Sequence, residues 1–247
     1  LANDNLPVGV KVGIHYWDGQ NQQYVFYNNG SGSASQYIPP MQGFFIQSTV
    51  DNLTFTIPAS ARSTSGIDVF NKKSGNGKPF ITNETAPRIP RNRLIISSAT
   101  NAGKTDKAFI EFHEKASTGF DHEFDAVKFA SNNDSIADIF LRFENSNYSI
   151  YVLPLENLEG RYDLNVDFGL NESFILSFDD IATFEPTQPI LLHDKLTGTY
   201  YDLRENNTLQ FINQQGQTKR FELVFDNYLA TSDLDNFNGW FTRTREI

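Results

Sequence analysis

The sequence predicts an all-β protein, an antiparallel β-sandwich of jelly-roll-like character built as two packed lobes. Three observations predict it. Apolar residues recur at period two in short segments, which sends successive side chains to opposite faces of a strand. Aromatic residues make up 14% of the chain, with 22 Phe against a single Met, a composition suited to pleated sheet faces. Clusters rich in Gly and Asn, at 27–35, 72–79, 99–107 and 213–220, separate these segments, and short strands punctuated by such turns are the pattern of sandwiches. At 247 residues the chain can hold one large or two modest cores, since domains commonly run about 100 to 150 residues.

In the N-terminal lobe, residues 1–89, Leu53, Phe55 and Ile57 alternate with Thr54 and Thr56 as a half-buried strand. Residues 71–92 are rich in Lys, Gly, Asn and Pro and lack alternation, so the domain junction is expected there. A C-terminal domain then covers 90–228, and 229–247 form a tail or the start of a following domain. The stretch Ser98 to Thr105 ends like a phosphate-binding loop. Ser98, however, stands where that loop needs Gly, and Ala108, Ile110 and Phe112 alternate as a strand instead of opening a helix, so a hairpin turn is expected. Further along, Tyr162, Leu164, Val166 and Phe168 alternate with Asp163, Asn165 and Asp167, and Phe174, Leu176 and Phe178 repeat the pattern, as do Phe221, Leu223 and Phe225.

Residues 190–206 read as a hairpin: an apolar run, a charged corner closed by Thr197 and Gly198, and a second strand with Tyr200 and Leu203. His193 and Asp194 then point to opposite faces and cannot form a dyad. On an exposed corner, removing either is expected to change stability by about 1 kcal/mol or less.

Composition excludes several function classes. The net charge of −10, spread along the chain, repels phosphate backbones, so nucleic acid is not an expected partner. With no cysteine there is no disulfide, thiol nucleophile or Cys-ligated metal. No apolar run approaches the ~20 residues of a membrane helix, so no membrane insertion is expected. Residues 1–9 show no signal peptide, so the chain reads as mature or as a fragment.

Candidate chemistry is sparse. His113 has Ser117 where a zinc-binding helix needs its second His, and no serine sits in a Gly-x-Ser-x-Gly elbow, so no catalytic residues are assigned. Asp121, Glu123 and Asp125 would share a face if extended and could offer oxygens to calcium, against the alternative of a solvated face. Asp233 and Asp235 form a second acidic cluster. The N-terminal aromatics Tyr16, Trp17, Tyr24, Tyr27 and Tyr37 lie among Asn and Gln, and flat rings beside amides can stack on sugar faces while hydroxyls are hydrogen-bonded. Core or turn packing is the competing reading for Trp17.

The segments "HYWDGQNQQYVFYNNG", "YIPPMQGFFIQS" and "LTFTIPASAR", followed by "RLIIS", "AFIEFHEKASTGFDHEFDAVKF", "LPLENLEGRYDLNV", "PILLHDKLTGTYYDLREN" and "KRFELVF", resemble in their order the module that precedes the sorting domain in type IX secretion substrates of Bacteroidota. The likeness covers roughly residues 12 to 226. That family's Gly-Trp-Asn-Leu opening is absent here, so the first strand is expected to be missing or supplied from upstream. The resemblance implies a non-catalytic β-sandwich module, secreted or on the outer cell surface, adhesin-like, contacting neighbouring domains of its own polypeptide and an extracellular glycan or protein surface. The alternative is a carbohydrate-binding module of a secreted polysaccharide-processing enzyme. The resemblance further implies that Ser135, in Asp134-Ser135-Ile136, is an O-glycosylation acceptor, while the sequons at Asn52 and Asn147 are accidental.

Overall fold

The computed structural model describes residues 9–57, 59 and 92–226, apart from 20, 29, 36, 39–41, 122, 132 and 215. The expected junction at 71–92, up to Arg91, and the tail with Asp233 and Asp235 lie outside these residues. The described chain is all-β, with short 3-10 turns at Leu155–Asn157 and Ile181–Thr183 and no α-helix among the described residues.

A four-stranded sheet holds β1 (Val10–Asp18), β2 (Gln23–Asn28), β3 (Ser31–Gly32) and β4 (Phe44–Ser48) in the order β3-β2-β1-β4. The larger, eleven-stranded sheet holds β5 (Asn92–Thr100), β6 (Thr105–Phe112), β7 (Ala126–Val127), β8 (Asp138–Phe143), β9 (Ser146–Leu153) and β10 (Arg161–Asp167). It continues with β11 (Ser173–Asp179), β12 (Leu191–Asp194), β13 (Thr199–Asp202), β14 (Thr208–Ile212) and β15 (Phe221–Val224). Its order is β13-β12-β15-β10-β8-β9-β6-β5-β11-β14, with β7 on β9. Every pairing is antiparallel except β6 with β9.

Tyr201 of β13 and Phe211 of β14 stand at opposite ends of this order, yet their rings meet at 5.8 Å. Phe211 also reaches Phe221 of β15 at 4.7 Å. The large sheet therefore curls until its two halves face each other as a sandwich. The space between is one continuous core that includes Leu94, Ile110, Leu164, Leu176, Phe178, Phe221 and Leu223. The alternating positions read from the sequence on β10, β11 and β15 supply much of it, as the pleat requires.

Arg220 fastens the curl. Its guanidinium bonds both carboxylate oxygens of Asp194 on β12, at 2.8 and 2.6 Å, and donates to the Ile212 carbonyl at the end of β14 at 2.7 Å. It also lies over the rings of Phe211 and Phe221. Strands from both ends of the sheet are thus held by one planar cation, whose fork matches a carboxylate bidentately. The hairpin of 190–206 forms as expected, closed by Gly198 at φ 71°. His193 and Asp194 do take opposite faces, His193 stacking on Tyr200 and lying 3.5 Å from a Glu222 oxygen. The corner, however, is not exposed at Asp194, which is 1% accessible. The sequence marked it as a turn acid because Arg220 is 26 residues away.

A second correction concerns residues 53–57, which form no strand; Leu53 and Phe55 are half-buried and Ile57 is 48% exposed. Alternation fixes which faces a strand would present, whereas a strand also needs a neighbour with free amides and carbonyls.

Replacing Asp194 with Ala should lower the free energy of unfolding by about 3–5 kcal/mol, because it strands a buried guanidinium. His193→Ala should cost under about 1 kcal/mol. Urea unfolding curves check this, and equal effects at the two positions would refute it. Burial alone would raise the Asp194 carboxyl, but its hydrogen bonds and the charge of Arg220 more than offset that and hold it below the ordinary 3.8. The stability it contributes is therefore complete above about pH 4 and is lost as the pH falls through its lowered value.

Candidate functional site

The small sheet has two distinct faces, fixed by the register of β1 on β2: Trp17 opposite Tyr24, Tyr16 opposite Val25, His15 opposite Phe26, Ile14 opposite Tyr27. One face carries Ile14, Tyr16 and Val25, which form a cluster covered by Ala34, Ile38 and Phe44. The other face carries His15, Trp17, Tyr24, Phe26, Asn28 and, from β4, Phe45. Its inner part packs on the large sheet, where Phe26 joins Phe109, Phe124, Ala126, Ile150 and Val152 in a second core.

Polar locks accompany that packing. Asn28 donates to the Phe124 and Asp125 carbonyls at 2.8 and 3.0 Å. Ser31 donates to the Glu111 carboxylate, which is fully buried on β6. Beside Ser31, a Cβ on Gly32 would stand 2.2 Å from the Phe26 carbonyl oxygen, at φ 135°. Only glycine fits this approach of β3 to β2.

At its outer part the same face is not covered. There Trp17 (40% exposed) meets Tyr24 edge-on at 5.0 Å, and Tyr24 meets Phe45 (47% exposed) at 5.5 Å. Opposite them stands the loop that precedes β8. Together they form a cleft of about 760 Å³ lined by Trp17, Gln22, Tyr24, Ser131, Asn133, Asp134, Ser135 and Leu170. Its size falls in the range of ligand sites, about 300–1,000 Å³.

Both walls are braced. Asp18 accepts from the Asn21 amide and side chain, and the next residue, Gln22, turns at φ 58°. Gln22 accepts from the Asn133 side chain across the cleft at 3.1 Å, and the Asn21 carbonyl accepts from Lys104. In the facing loop, Asn133 accepts from the Ser135 amide and hydroxyl at 3.0 and 2.7 Å. Ser131 donates to Asp138, which is itself paired with Lys128, and Lys128 also pairs with Asp106. Behind this wall His15 stacks on Phe129 at 4.0 Å. Burial and the nearby Lys128 charge push His15 down to about 4, so it is neutral at physiological pH.

Of the expected saccharide platform, the cleft takes Trp17 and Tyr24 alone. Tyr16 is closed into the cluster on the far face, with its hydroxyl toward the Ser35 carbonyl, and Tyr27 lies on that face as well, accepting from the Gly30 amide. Tyr37 is exposed in the loop after β3, away from the cleft lining. Ser135, the expected acceptor of a glycan, is partly buried in the cleft wall.

Asp121, Glu123 and Asp125 are not extended along one face. The Asp125 amide donates to the Asp121 carbonyl, making a turn. The two Asp125 oxygens accept from the Asp121 and Val152 amides at 2.7 and 2.8 Å, and Asp125 is fully buried, so its carboxylate is occupied as a joint between the turn and β9. Glu123 is exposed, and among the described residues no three His, Asp or Glu side chains are placed to share a metal ion. His193, Asp194 and Asp121 each have separate partners and do not converge.

Sequence reasoning missed Gln22, Asn133, Asp134 and Leu170 as partners of Trp17. The bond between Gln22 and Asn133 spans 111 residues, and no local pattern encodes it.

Burial pushes the Asp125 carboxyl up to about 7, its two amide bonds opposing only in part. A carboxyl-carbon NMR titration should place its midpoint near pH 7. Because the folded state then binds a proton that the unfolded state has released, the stability tied to this group falls as pH rises from about 4 to about 7. A midpoint near 4 would contradict the buried setting.

A family model described as "Domain of unknown function (DUF8693)" matches residues 13–225, running through both sheets. No curated protein and no solved structure matches the chain. Among the described residues no helix is long and apolar enough to cross a membrane.

Proposed function

The chain belongs to the DUF8693 family, and from that premise we propose that it is a non-catalytic interaction module of a secreted or cell-surface protein that binds an extracellular glycan in the cleft beside Trp17. The observation that carries this reading is the exposure of Trp17 at 40% within a cleft whose other wall is mainly polar, with Ser131, Asn133, Asp134 and Ser135 beside Leu170. A buried Trp on that strand face would be packing, as Phe26 is two pleats away. An indole left open beside Tyr24, Gln22 and Asn133 instead offers an apolar plate and adjacent hydrogen-bonding groups, which is what a sugar ring with its apolar face and equatorial hydroxyls requires.

A non-catalytic role is supported by the lining itself. Among the described lining residues Asp134 is the one carboxylate, with no second acid opposite it, whereas glycoside hydrolysis ordinarily needs a pair. The secreted location and adhesin-like context rest on the ordered motif resemblance across residues 12 to 226.

If Ser135 carries an O-glycan in the native host, that sugar stands in the same cleft, so modified protein should not take up added saccharide.

Screening the unmodified chain against a glycan array and following hits by calorimetry tests the proposal. Trp17→Ala should weaken binding of any hit by about tenfold or more, the loss of a central aromatic anchor. It should shift unfolding stability by under about 1 kcal/mol, as for a side chain outside the core. No glycan bound, or binding indifferent to Trp17→Ala, would sink the reading.

A further inference from the structure

We propose that the cleft selects cationic glycans, taking a saccharide that carries a free amine with its ammonium on Asp134 and a sugar face on Trp17. This rests on the glycan-binding reading above and adds the charge class of the ligand.

Among the described residues lining the cleft, Asp134 is the one charged side chain, and no Lys, Arg or His accompanies it. The neighbouring acids are internally committed: Asp18 to Asn21, Asp138 to Ser131 and Lys128, Asp106 to Lys128. The Asp134 carboxylate makes no hydrogen bond to another described residue and is exposed. Its position is also provided for by the loop between β10 and β11. A Cβ on Gly169 would lie 2.6 Å from the Asp134 Cβ and 2.8 Å from its Oδ1, so glycine there leaves room for the aspartate side chain.

The chemistry of that arrangement discriminates by charge. An ammonium would gain a charge-assisted hydrogen bond from Asp134 and the attraction of the Trp17 and Tyr24 π-faces. A uronate or sulfated sugar would meet an unopposed carboxylate on a chain of net charge −10. An N-acetylated or plain hexose keeps the stacking and forgoes the ion pair.

Calorimetric titration of the full chain with four trisaccharides tests this: chitosan trimer with its amines free, its N-acetylated counterpart, cellotriose and trigalacturonate. The free-amine trimer should bind on the order of tenfold tighter than the acetylated one at low salt, the size of one hydrogen bond to a charged group, and trigalacturonate weakest. Asp134→Asn should reduce that ratio to near unity. Glu205→Gln, an exposed acid outside the cleft lining, should leave the ratio unchanged.

A ratio near unity in the parent chain, a ratio that survives Asp134→Asn, or one that Glu205→Gln lowers as much, would overturn the charge selectivity. The glycan-binding reading would still stand if the neutral trimers bound in a Trp17-dependent way. Binding by none of the four would overturn the charge selectivity, and the glycan array then decides the binding reading by itself.

Discussion

The strands β6 and β9 have large side chains on both faces, and the rest of the molecule is arranged to cover them twice. On one side Ala108, Ile110, Phe112, Tyr151 and Leu153 enter the core of the curled sheet, and on the other Phe109, Ile150 and Val152 need a second cover. Phe26 of the small sheet, with Phe124 and Ala126, supplies it. At about 1.5–3 kcal/mol for each large apolar side chain fully removed from water, losing that cover would cost more than the small sheet could recover alone. Glu111 adds a polar reason. A fully buried carboxylate is tolerated only with donors, and Ser31 brings one from β3. The two sheets are therefore coupled energetically, consistent with one family model spanning 13–225.

That second cover is incomplete, and the cleft follows from the shortfall. Along one face of β1 and β2 the residues pass from core to solvent in sequence: Asn28, Phe26 and His15 lie against the large sheet, then Tyr24 and Trp17 extend past it. The pleat gives all of them the same orientation. Burial at one end and exposure at the other are thus one geometric fact, and the aromatics that read alike in the sequence divide into packed and exposed according to their distance from the large sheet.

Much of the fold could be read from residue patterns. Phe174, Leu176 and Phe178, or Phe221, Leu223 and Phe225, are all buried, because a strand with one apolar set can face the core in only one way. The Thr197 and Gly198 corner and the turn after Thr100 were equally plain, since positive φ leaves few residue choices. Where both faces are covered the pattern fails: Phe109 and Glu111 look like the outward set of an alternating strand and are instead buried. Asn165 is likewise buried among the polar set of β10. Long-range polar partnership is equally invisible. Asp194 reads as a turn acid until Arg220 is beside it, and Asp125 reads as one of three surface carboxylates until Val152 claims its oxygen. Half of the candidate cleft was legible, as an aromatic run, and the other half comes from a loop more than 100 residues later, where Ser135 read as a modification site and Asn133 carries no signal of a cleft until Gln22 faces it.

The facing wall is also stiff for a physical reason that bears on what it can bind. Asn133 holds the backbone and hydroxyl of Ser135, Thr100 takes the Ser135 carbonyl, and Ser131 is tied through Asp138 to Lys128 and Asp106 beneath. Burial would lower the Lys128 amine, but the two carboxylates outweigh it and hold the amine above its ordinary value, so the anchor keeps its charge across physiological pH. His15, next to it, stays neutral over the same range. The loop's polar groups are therefore held in fixed orientations by bonds within the protein, so a partner of this wall would leave little further conformational freedom to be lost. Amides and hydroxyls held in place opposite an open indole thus give the cleft a fixed polar wall, beneath which Lys128 keeps its charge and His15 stays neutral at physiological pH.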